Sequence, residues 1–154
     1  MSKNTDPKSN QHPDLESFYP NNSGGHQKTV DISGQRLNII LDVGHLEAEL
    51  RPQALEKSAN LFAKHFSDLK TRLRQCQELI ANAYLEKAQQ YDSKLGTNKK
   101  TKLQFLKCIR LKDITVHPEG CSFWFEDGDC LGGHGIVVSF GPRGGLKGEP
   151  WLVG

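Results

Sequence analysis

A chain of 154 residues is long enough to bury a core and short enough to form one domain. Its 36% hydrophobic and 25% charged residues exclude a membrane-spanning or low-complexity protein, since no apolar run approaches the ~18 residues that a spanning helix needs. A net charge of +2 is too small to argue for nucleic acid by itself.

Met1 to Gln11 is polar and lacks the apolar stretch of a secretory signal, so a cytoplasmic protein is the expectation. In that compartment the four cysteines, Cys76, Cys108, Cys121 and Cys130, read as thiols and not as a disulfide framework. Residues 1–26 are rich in Asn, Ser, Pro, Gly and Lys, with Phe18 and Tyr19 as an apolar island. Such a segment cannot bury enough surface to offset its chain entropy, and a mostly flexible leader to a single domain over residues 27–154 is expected.

The domain opens with a hairpin. Thr29 to Ile32 leads into a Ser33-Gly34 turn, and Arg36 to Asp42 follows with Leu37, Ile39 and Leu41 on one face. From Pro52 to Asp92 there is neither proline (after Pro52) nor glycine, and Phe62, Phe66, Leu69, Leu73, Cys76, Ile80 and Ala83 recur at helical spacing. Pro52 suits a first helical turn and Gly96 a stop. An unbroken helix here would run ~60 Å, longer than a domain of this size, which predicts a break near Ser67-Asp68. The apolar stripe then lies on a sheet as core, with a dimerising coiled coil as the alternative.

Charge changes sign abruptly further on. Lys94 to Lys112 holds seven Lys or Arg and no acid, whereas Asp113 to Cys130 holds five acids and no Lys or Arg. A short helix over Lys102 to Cys108 bridges to strands at Leu111–His117, Cys121–Glu126 and Gly135–Phe140, with a last strand at Trp151–Val153. Pro118 and Gly120 fit positions i+1 and i+3 of a type I turn. Together these predict an α+β fold: an antiparallel sheet of about five to seven strands packed against one long or broken helix.

Few constellations carry chemistry. His117, Cys121, Cys130 and His134 fall within eighteen residues, but they lack the close ligand pairs of structural zinc, and no metal or cofactor is predicted. Cys130 with His134 could form a nucleophilic pair, although no nucleophile elbow surrounds it, and no catalytic residue is assigned. His134 shares strand parity with Ile136, Val138 and Phe140. It reads as a turn-locking histidine whose obvious partners are Asp127 or Asp129. The basic run has a single aromatic, Phe105, which suits a solvated face better than a base-stacking platform. The acidic hairpin carries Trp124 on the face opposite Phe123 and Phe125. An outward Trp124 ringed by acids would anchor a basic partner, whereas a Trp124 covered by the long helix or the N-terminal segment would be core.

The run Leu111-Lys-Asp-Ile-Thr-Val-His-Pro-Glu-Gly, then Phe123-Trp-Phe-Glu-Asp-Gly-Asp, then Gly133-His134-Gly-Ile-Val-Val, resembles an uncharacterised bacterial family. That family closes on a glycine after a short last strand, as Gly154 does here, and His12-Pro13-Asp14-Leu15 resembles its opening. Leu131-Gly132 departs from the larger or aromatic residues usual there. Members often sit among immunity genes of polymorphic toxin systems, including contact-dependent growth inhibition. The resemblance thus implies an immunity protein, not an enzyme, that neutralises a cognate toxin domain, with neither small-molecule substrate nor membrane among its partners. It also implies that Asp127, Gly128, Asp129, Gly133 and His134 maintain the fold. If the toxin is a nuclease with a basic groove, Asp113, Glu119, Trp124, Glu126, Asp127 and Asp129 are the candidate partner-binding residues. The rival expectations are a metal-dependent or Cys/His enzyme, and a nucleic-acid-binding module that uses residues 94–112.

Overall fold

In the computed structural model, which describes residues 18–154, seven strands form one sheet whose spatial order repeats their order along the chain. They are β1 (Tyr19–Pro20), β2 (His26–Ile32), β3 (Gln35–Leu41), β4 (Arg110–His117), β5 (Gly120–Glu126), β6 (Gly135–Phe140) and β7 (Trp151–Val153). Every neighbouring pair is antiparallel except β3 and β4, which run parallel. A parallel pair needs a crossover, and this crossover contains all three helices. They are α1 (Arg51–His65), α2 (Leu69–Leu95) and α3 (Lys102–Cys108), preceded by a short 3-10 turn at Ala48–Leu50. The chain is therefore α+β, as its pattern predicts.

Local chemistry explains each element. Ser33 and Gly34 both take positive φ, 51° and 80°, the twist that a two-residue hairpin turn requires. Pro52 sits in the first turn of α1, where its missing N–H costs nothing. The predicted break falls in place: α1 ends at His65, and Asp68 caps α2 by accepting from the backbone N–H of Thr71 at 3.2 Å and its hydroxyl at 2.7 Å. Gly96 closes α2 at φ 71°, and Thr101 with Gln104 forms a capping box on α3.

Alternating residues of four strands point at the helices and are buried: Leu37, Ile39 and Leu41; Leu111, Ile114 and Val116; Cys121, Phe123 and Phe125; Ile136, Val138 and Phe140. Phe66, in the link between α1 and α2, is fully buried and lies against Phe62, Phe123 and Phe140 with ring centroids 6.2, 6.1 and 5.6 Å away. The stripe on α2 differs from expectation beyond Ile80. Ala83 is exposed, and the buried line continues through Ala88 and Asp92, because steps of four follow the helix more closely than a return to three.

Arg72 holds the helix break against the sheet. Its guanidinium donates to the His65 carbonyl from Nε at 3.2 Å and from Nη2 at 2.9 Å, and to the Gly144 carbonyl from Nη1 at 2.8 Å. It also stacks over Phe66 and Phe140, 4.6 and 5.0 Å from their centroids. Among the described residues of the N-terminal segment, Phe18 is buried and β1 pairs with β2. Asn21 closes the link to β2, its backbone N–H donating to the Gly25 carbonyl at 3.0 Å; residues 1–17 of the segment read as flexible, with the opening His12 to Leu15, lie outside the described residues.

Candidate functional site

Among the described residues every helix lies in one crossover, and the opposite face of the sheet carries none. Register places Thr29, Asn38, Asp113, Trp124, Val137 and Trp151 in one row across it. Trp124 is 37% exposed and Trp151 42% exposed, while Val137 between them is fully buried. Phe123 and Phe125 face the core, so alternation turns Trp124 outward, away from the long helix. Its indole N–H donates to the Thr115 hydroxyl at 2.9 Å, which fixes the ring on this face.

The turn after β5 is built around Asp127. This residue is buried, and its carboxylate accepts four backbone N–H groups: Asp129 at 2.9 Å on one oxygen, and Leu131, Gly133 and His134 at 3.1, 3.0 and 2.9 Å on the other. Two glycines are required here. A side chain at Gly128 would meet the Cys108 carbonyl at 2.5 Å, and one at Gly132 the Tyr91 hydroxyl at 2.5 Å, each at positive φ. His134 does lock the turn, but not through an aspartate side chain as expected. Its Nδ1 lies 2.7 Å from the Leu131 carbonyl. A carbonyl can only accept, so Nδ1 carries the proton of this bond.

Beside this turn lies an open depression of about 600 Å³ lined by Asp113, Trp124, Glu126, Asp127, Asp129, His134 and, among others, Lys112. Five of the six candidate partner-binding residues therefore meet in one place, where a tryptophan stands among carboxylates. Glu119 does not join them. It is exposed at the Pro118-Glu119 turn and borders a second hollow of about 220 Å³ with His117, Lys147 and Trp151. Glu126 ends β5, seven positions beyond Glu119 and roughly 20 Å away at strand rise. Asp127 is buried and its carboxylate is engaged by four backbone N–H groups, so its part in the turn is structural.

The other constellations are dispersed. His117 and Cys121 lie at one end of β5, Cys130 and His134 beyond the other. Among the described residues no three His, Cys, Asp or Glu side chains stand together as a metal site. All four cysteines are free thiols. Burial pushes the Cys130 thiol up to about 12, reinforced by its hydrogen bond with Cys108, and burial raises Cys76 to about 12. Neither forms a thiolate readily near neutral pH. In the basic run Lys100 pairs with Asp92, Lys102 with Glu78 at 2.6 Å, and Lys112 with Glu126 at 3.6 Å, so three of its seven cations are engaged within the chain. Reading the sequence alone missed Arg72, which falls off the apolar stripe, and the pairing of Trp151 with the strand beside Trp124.

These features define an α+β protein whose distinctive surface is an acid-rimmed tryptophan on the sheet face opposite the helices. The chain belongs to a family described as an uncharacterized protein conserved in bacteria (DUF2262), whose model matches residues 14–149. Comparison with curated proteins and with solved structures finds no match. Among the described residues no helix is long and apolar enough to cross a membrane.

Proposed function

We propose that this protein is an immunity protein, acting in the cytoplasm by stoichiometric binding to a cognate bacterial toxin domain. The observation that carries the reading is the convergence of Asp113, Trp124, Glu126 and Asp129 on one open depression. Exposed tryptophan is costly on a free surface and is typical of interface anchors. Carboxylates around it favour a basic partner surface, such as the substrate groove of a nuclease, and speed encounter with it. Inhibition follows from occlusion: the partner's groove is covered, and no bond need be made or broken.

Co-expression tests this. The toxin domain encoded beside this gene should kill cells alone and spare cells that also make this protein, and the purified pair should associate one to one. Continued killing, with no association, would end the immunity reading. A Cys/His enzyme or metal-dependent binder is the second reading, favoured by the place of His134 in the lining of the depression. Metal analysis of the purified protein and of His134→Ala tests it: metal bound by the first and lost from the second would favour it over occlusion.

A further inference from the structure

The depression already meets one cation, supplied by the chain itself. The register of β4 shifts between Leu111 and Asp113, so that Leu111 pairs with Phe125, Asp113 with Trp124, and Lys112 is the extra residue. Leu111 and Ile114 are buried, which leaves Lys112 and Asp113 together on the open face. The bulge thus places the Lys112 ammonium 3.6 Å from Glu126, with both side chains more than half exposed. An exposed pair at that separation is weakly held. The carboxylates lining the hollow are those of Asp113, Glu126, Asp127 and Asp129, and the charge of Asp127 is met by its four N–H donors. Three further carboxylates therefore share the hollow with one lysine, while Arg110, the cross-strand neighbour of Glu126, borders the adjoining hollow with Arg36. The Trp124 ring, pinned through its N–H to Thr115, offers a fixed π surface beside them.

We infer that the depression receives an arginine side chain of a protein partner, stacked on Trp124 and paired with Asp113, Glu126 and Asp129, and that Lys112 is the internal cation it displaces. A guanidinium suits the place better than an ammonium, because it can lie flat on the indole while its edge donates to carboxylates. A polypeptide is favoured over a small cation because the hollow is open and the strand register sets Val137 and Trp151 beside Trp124 in one row, along which residues flanking the arginine would lie. This inference rests on the reading that the protein works by binding another.

The test uses the full-length protein labelled with nitrogen-15 and a capped Gly-Arg-Gly-Arg-Gly peptide, with its lysine and glutamate counterparts as comparisons. Titration to millimolar concentration should shift the Trp124 indole N–H and the amides of Asp113 and Glu126, with arginine stronger than lysine and glutamate inert. Glu126→Gln should weaken binding by about fivefold and Trp124→Leu by more. Lys112→Ala should tighten it severalfold, an outcome that a purely structural role for Lys112 would not produce. If Trp124→Leu fails to fold, the Glu126 and Lys112 variants decide. Shifts centred elsewhere, equal responses to arginine and glutamate peptides, or weaker binding by Lys112→Ala would overturn the inference. Toxin protection that survives in Glu126→Gln and Trp124→Leu would refute this site and leave the immunity reading standing. Peptide binding without toxin protection would do the reverse.

Discussion

One carboxylate organises the turn that borders the depression. Asp127 answers four backbone N–H groups, donors that would otherwise be stranded in a partly buried loop. Asparagine has one accepting oxygen and an amide that would face N–H groups, so Asp127→Asn should cost about 2–3 kcal/mol, measured by urea unfolding. The sequence shows this corner to be scaffold through its glycines and paired acids. It does not show where the acid points, because every donor within seven residues is equally near along the chain; hence the mistaken partner for His134. Asp92 carries a pH effect. The Lys100 side chain and backbone N–H hold its carboxyl below the usual range. A depressed folded value contributes stability above the unfolded value, about pH 4, and that contribution is lost as pH falls through the folded value. Asp92→Asn should therefore lose stability at pH 7 and show a flatter loss in acid, as read from thermal unfolding between pH 7 and 3.

The helical pair depends on its break. Ser67-Asp68 was readable as a new start because an uninterrupted helix would outgrow the domain, and Asp68 does cap α2. Arg72 was not readable. Its partners, His65 and Gly144, lie seven and 72 residues away, and a charged residue off the apolar stripe looks solvated until the fold brings Phe66 and Phe140 beneath it. Arg72→Ala should destabilise by about 2 kcal/mol. Arg72→Lys should recover little, since an ammonium cannot reproduce the fork to two carbonyls. Chemical denaturation of the two variants checks both statements. The strand β1 escaped notice because it has two residues, one of them Pro20. Alternation puts Trp124 on the face opposite Phe123 and Phe125 but leaves its cover undecided; among the described residues the helices lie on the other side of the sheet, and Trp124 is 37% exposed.

Among the described residues the fold is one-sided: a core between sheet and helices, and a sheet face behind that carries no helix. Its thiols belong to the core side. Cys76, Cys121 and Cys130 are buried, and burial raises each of them. These three should resist alkylation near neutral pH until the protein unfolds, with only the half-buried Cys108 reacting earlier, as followed by mass spectrometry. The open face is where a partner would meet the protein, and Trp124 is its reporter. In Trp151→Phe protein, acrylamide quenching of the remaining indole should fall sharply when a toxin domain against which the protein protects cells is added in equimolar amount. A complex that forms while Trp124 stays as accessible as before would contradict occlusion through this surface.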